Sequence, residues 1–181
     1  MSVRRVVTGH SPEGKAIFAS DEEVEPVTVP TMPGYEFHQI WGADEPPRFP
    51  DAGTEPPHRM YFPPLGGFRF GVFTLPPESS VVLPDDLDQA AAEAAVEAAL
   101  PGLLSHIEPD HPGMHTTATV DYEMIIAGRI ILELDDGAQV TLGPGDTVVQ
   151  NGTRHAWRNP FDEPATFVVT LVGAHHDNVK H

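Results

Sequence analysis

Residues 128–159 read GRIILELDDGAQVTLGPGDTVVQNGTRHAWRN. Two runs with alternating apolar positions, GRIILELDD and AQVTLGPGD, meet at Asp136-Gly137. An Asp-Gly pair between such runs is the strongest short-range hairpin signal, because both residues tolerate positive φ. Pro144-Gly145-Asp146 makes the next turn, residues 147–150 (TVVQ) a third strand, and Asn151-Gly152 another turn. Residues 165–172 (ATFVVTLV) supply a last strand. From residue 112 onward the pattern is strand and tight turn throughout, which predicts an antiparallel all-β architecture.

Outward from this core the chain keeps its β character. Residues 68–75 (FRFGVFTL) alternate as a strand with one buried face, and residues 35–41 read as another. At the start, short apolar strands at 4–8 and 16–19 flank HSPEGK, a turn built on Pro12 and Gly14. Residues 21–33 mix acids, valines and prolines, the composition of an extended edge or arm. Residues 44–65 are rich in proline and polar groups and are expected to form a long surface loop, free or folded over the barrel or a partner. One helix interrupts the pattern over 84–106, with Leu87, Ala91, Ala94, Ala98 and Leu103 at helical spacing. Asp85, Asp86 and Asp88 are expected in its first turn, where the helix dipole favours negative charge, and Pro101-Gly102 ends or kinks it.

The 181 residues fit one domain. Within 1–181, residues 1–66 hold the N-terminal strands and proline-rich loop, 84–106 the helix, and 112–172 the motif-bearing core. No cysteine is present, so disulfides and thiolate metal sites are excluded. The 27 acids against 10 lysines and arginines give a net charge of −17, which repels nucleic acid and anionic lipid. Neither is expected as a partner. The opening MSVRRVVTGH lacks the apolar stretch of a signal peptide, so a cytoplasmic location is the default expectation. Walker, G-x-S-x-G, G-x-G-x-x-G and H-E-x-x-H patterns are all missing, and no organic cofactor is expected.

The segments PGMHTTATVDYEMIIAG (112–128) and GDTVVQNGTRHAWRN (145–159) resemble the two motifs of the cupin superfamily. In the second, His155 and Asn159 match its H-x-x-x-N, with Asn151-Gly152 standing where the family has Pro-x-Gly. In the first, counting back from Gly128 puts Asp121 at the family's glutamate and His115 at the first histidine. Thr117 falls where the second histidine belongs. A subgroup with a histidine, a Thr/Ser-rich gap and Asp-Tyr is similar to this arrangement. The resemblance implies a cupin jelly-roll antiparallel β-barrel with the helix inserted or flanking, a small-molecule ligand in the barrel mouth and a homodimer. It permits dioxygenase, decarboxylase, isomerase or lyase chemistry on a small aromatic or carboxylated substrate.

Period two along a strand puts His115, Thr117, Asp121 and Glu123 on one face, with His155 and Trp157 on the facing wall. His115, Asp121 and His155 are the ligand set of a facial triad, which suits iron, manganese, nickel or zinc. A second reading stays open. The histidines hydrogen-bond Asp121 and Thr117 and line a metal-free pocket that binds or senses a small molecule without turnover. Lacking metal, Asp121 or Glu123 serves as general base with His155 as its acid partner. Thr117, Tyr122, Arg154 and Trp157 are candidate substrate contacts. Arg154 and Arg158 flank His155, where they either hold a substrate carboxylate or form surface salt bridges. Tyr35, Phe37, Trp41, Phe70 and Phe73 are expected to join the pocket wall, and His38 is a further ligand-contact candidate. His106 and His111 read as loop histidines, and His175 and His176 as a solvated tail.

Overall fold

The computed structural model describes residues 2–179. In chain order its strands are β1 (Val3–His10), β2 (Ala16–Val24), β3 (Glu36–Ala43), β4 (Phe68–Leu75), β5 (Thr119–Ala127), β6 (Ile130–Glu133), β7 (Gln139–Leu142), β8 (Thr147–Asn151), β9 (Ala156–Arg158) and β10 (Ala165–Gly173). One helix, α1 (Gln89–Ala99), lies between β4 and β5. The ladders are antiparallel throughout. They group into the hairpin β1-β2, a five-stranded sheet β3-β4-β10-β5-β8 and a three-stranded sheet β7-β6-β9. This is the antiparallel all-β jelly roll with one helix that the sequence predicts.

Alternation decides which face is buried. Along β5, Thr119, Asp121, Glu123 and Ile125 are buried, while Tyr122 and Met124 are exposed. Ile125, Ile130, Leu132, Leu142, Phe167, Val169 and Leu171 form a buried apolar cluster shared by the two larger sheets. The β6–β7 turn has Asp136 at φ 57° and Gly137 at φ 71°, the two left-handed residues that the Asp-Gly signal demands. Between β5 and β6, Gly128 has φ 69°, and a Cβ there would lie 2.2 Å from the Pro164 carbonyl oxygen. Only glycine satisfies both conditions.

Three expectations change. The helix is shorter than 84–106: Pro84 to Leu87 make a turn (Leu87 N to Pro84 O, 3.2 Å), and Asp88 is the N-cap, accepting from Ala91 N at 3.1 Å. Asp85 and Asp86 therefore precede the helix and do not occupy its first turn. Leu100 ends α1, and residues 104–106 form a separate 3-10 turn. The N-terminal hairpin is longer than expected, and β2 takes up the first residues of the supposed arm. The stretch 44–65 is not wholly a surface loop. Tyr61 is buried in a second apolar cluster with Phe37, Val96, Leu100 and Leu103, which docks the helix over the open end between the sheets. No helix among the described residues is long and apolar enough to cross a membrane.

Candidate functional site

The inward faces of the sheets, the segment after α1 and the Tyr61–Phe62 loop enclose a cavity of about 300 Å³. Its wall is mainly apolar, with the rings of Tyr35, Phe37, Tyr61, Phe62, Phe73, Trp157 and Phe167 beside Leu75, Leu103, Leu104, Ile107, Val169 and Leu171. Four ionisable groups of the two motifs break that wall: His115, Asp121, Glu123 and His155. Among the described residues, no lysine or arginine lines it.

The two imidazoles are brought together by their backbones. His115 N donates to His155 O and His155 N to His115 O, each at 2.9 Å, so the residues form a hydrogen-bonded antiparallel pair. Their ring centroids lie 4.2 Å apart. Each ring is oriented alike: His115 Nδ1 meets the Gly113 carbonyl and His155 Nδ1 the Thr153 carbonyl, both at 2.9 Å. A carbonyl only accepts, so Nδ1–H donates and Nε2 keeps the lone pair. Burial lowers both pKa values. His155 falls to about 4, through burial first and then the neighbouring His115, with the Thr153 carbonyl opposing. Burial lowers His115 against the opposing Gly113 carbonyl. Both rings are neutral bases at pH 7.

The carboxyl pair is placed by β5. Asp121 and Glu123, two residues apart, share its inward face and are 3% and 7% exposed. Asp121 Oδ1 and Glu123 Oε2 are buried without a hydrogen-bond partner. Burial pushes Asp121 up to about 7 against the opposing Thr119 hydroxyl, and Glu123 up to about 8, with the charge of Asp121 adding to the latter. Burial, then these two carboxyls, raises the phenol of Tyr61, which stays a neutral donor.

Residues 103–171, which include His115, Asp121, Glu123 and His155, match the family model described as Cupin domain. That stretch of the chain is similar to a cupin domain. A stretch of 54 residues of this chain is 44% identical to "Oryzines biosynthesis cluster protein J" of Aspergillus oryzae, covering 28% of this chain and 30% of that protein. A 46-residue stretch is 48% identical to "Phomopsin biosynthesis cluster protein C'" of Diaporthe leptostromiformis, covering 25% and 24%. The match thus spans under a third of these relatives' own length. Among solved structures, a predicted oxalate decarboxylase from Thermotoga maritima is similar at 15% identity and a TM-score of 0.44, over 83% of this chain and 93% of that one.

Nitrogen and oxygen donors of this site suit a divalent metal chemically. Among the described residues, no three histidine, aspartate or glutamate side chains lie together as a metal-holding group. The structure pairs His115 with His155, and Asp121 lines the same cavity.

Of the four candidate substrate contacts Thr117, Tyr122, Arg154 and Trp157, the last lines the cavity and the others do not. Tyr122 is 54% exposed on the opposite face, as period two requires between Asp121 and Glu123. Thr117 is buried with its hydroxyl 2.8 Å from that of Thr119, outside the cavity wall. Arg154 is held by Glu108 (2.7 Å) and Asp135 (2.8 Å), and Arg158 by Glu133 and the Pro112 carbonyl, both 2.7 Å. Neither is free to hold a substrate carboxylate. Arg129 stacks over Phe161. Tyr35, Phe37 and Phe73 join the wall as expected, whereas Phe70 and Trp41 do not. His38 is fully buried outside that wall, with both ring nitrogens unpartnered. His176 is not simply solvated tail, since its Nε2 meets the Gly152 carbonyl at 3.0 Å. The sequence reading missed Tyr61, Phe62, Leu103, Leu104 and Ile107. The apolar Met60–Phe62 run inside a proline-rich stretch was the available signal.

Proposed function

We propose that this cupin-like domain takes a small, largely apolar molecule into the cavity between its sheets and exchanges a proton with it, without a metal. The observation carrying this reading is one cavity that combines aromatic walls with two neutral imidazoles and two buried carboxyls. An apolar wall with a few convergent polar groups is the usual form of a small-molecule site. His115 and His155 supply the acceptor nitrogens. Asp121 and Glu123 anchor the polar end, and they keep exchangeable protons near neutral pH because burial disfavours their charged forms. The partial relatives named for biosynthesis clusters agree with work on a small molecule.

Two measurements test this. Elemental analysis of protein purified without chelator is expected to return metal far below one equivalent. Near-stoichiometric metal that disappears in His155→Ala would sink the metal-free reading. Titration with small aromatic probes is expected to shift the NMR signals of Trp157 and Phe73, and deuterium from solvent is expected to enter an acidic C–H of a bound probe. Binding without such exchange leaves a binding or sensing protein in place of an enzyme.

A further inference from the structure

The polar end of the cavity has a definite sign. Its wall holds two carboxyls and two imidazoles, and among the described residues it contains no lysine or arginine. The nearby arginines are engaged elsewhere: Arg154 by Glu108 and Asp135, Arg158 by Glu133, and Arg69 by Asp44 at 2.6 Å and the Ala43 carbonyl at 2.9 Å. A carboxylated ligand would meet no cationic side chain here, and two carboxyls that become like charges once ionised.

The acceptors are already in place. Asp121 Oδ1 and Glu123 Oε2 are each buried with no partner, and an unsatisfied buried acceptor carries a free-energy cost that a donor from the ligand removes. We propose that the cavity's ligand is an amine bound as its ammonium ion, with the nitrogen at Asp121 and Glu123 and the apolar body among Tyr61, Phe73, Trp157 and Phe167. An ammonium offers three donors and no acceptor, which matches a site of two carboxylate oxygens and lone-pair nitrogens. Aromatic faces add attraction for a desolvated cation. Without a cation, burial leaves Glu123 largely and Asp121 partly protonated near neutrality. A bound ammonium favours their ionised forms, so the carboxylates anchor the nitrogen while the imidazole pair supplies further acceptors.

This inference rests on the cavity being the ligand site, and the test separates the two. The full chain is titrated at pH 7.5 with three probes of similar shape: 2-phenylethylamine, 2-phenylethanol and 3-phenylpropionate. The amine is expected to bind at least about tenfold tighter than either of the others. In the Asp121→Asn/Glu123→Gln variant, checked for folding by circular dichroism, the amine-to-alcohol ratio is expected to fall to about one. Equal or tighter binding of the alcohol or the carboxylate overturns the amine inference and leaves the cavity reading standing. No binding by any of the three overturns both. A preference for the amine that survives in the double variant also overturns the assignment, because the carboxyls would not be its source.

Discussion

Asp121 and Glu123 stand on one face of β5, and the sheets that bury them also set their protonation. Burial raises their folded values to about 7 and about 8, from ordinary values of 3.8 and 4.5. Between about pH 4 and 8 the folded chain therefore binds more protons here than the unfolded chain, and stability falls as pH rises. His155 acts oppositely. Its value drops to about 4 from 6.5, so between those values the unfolded chain binds more protons and stability rises with pH. The two contributions offset one another below about pH 6.5, and above it only the carboxyl loss remains. Urea unfolding is expected to show stability declining from pH 6.5 to 8.5. The Asp121→Asn/Glu123→Gln variant is expected to flatten that decline and to be more stable at pH 8.5 by about 1–3 kcal/mol. A variant less stable than wild type at pH 8.5 would show that the carboxyls have partners the structure lacks.

At the scale of elements, two glycines at positive φ separate backbone conformation from packing. Gly137 has φ 71° in the β6–β7 turn, with nothing within 4 Å of an added Cβ. Gly137→Ala is expected to cost about 1 kcal/mol, the conformational penalty alone. Gly128 has the same φ sign, but its added Cβ meets the Pro164 carbonyl oxygen at 2.2 Å, and backbone there cannot swing aside. Gly128→Ala is expected to cost more than about 2 kcal/mol, read from the shift in urea midpoint. Equal losses at the two sites would mean that the β5–β6 and β9–β10 connections do not pack as described. Asp88 is a further element-scale determinant. It caps the helix whose buried Val96 and Leu100 hold Tyr61 at the cavity.

Across the whole molecule, part of the outer face of the five-stranded sheet exposes apolar side chains. Phe70, Thr170, Tyr122 and Val149 lie in one cross-strand row over β4, β10, β5 and β8. Phe70 is 37% exposed, Tyr122 54% and Val149 57%, with Met124 beside them. A contiguous apolar patch on a chain of net charge −17 is where like-charged copies can approach without facing acids. The β1-β2 hairpin, with Phe18 80% exposed, adds apolar surface that a two-stranded ribbon alone does not bury. Light scattering is expected to give a homodimer, twice the chain mass of 19.6 kDa, and Tyr122→Lys/Met124→Glu is expected to return it to monomer. Monomer at micromolar concentration in the wild type would remove this expectation.

Local chemistry by itself determined the fold class and half of the site. Asp136-Gly137 declared its hairpin because two adjacent left-handed residues suit few other structures, and alternation put Asp121 and Glu123 inward. The same alternation put Tyr122 outward, against its assignment to the pocket. What only tertiary structure decided was each group's distant neighbour. Arg154 finds Glu108 from 46 residues away, His155 pairs with His115 across the chain, and Tyr61 is buried by a helix some 35 residues beyond it. A strand period specifies which way a side chain faces but carries no record of what the fold brings opposite it. For that reason the imidazole pair, the unpartnered carboxyls and the absence of a cation in the cavity wall emerged only once the sheets were packed together.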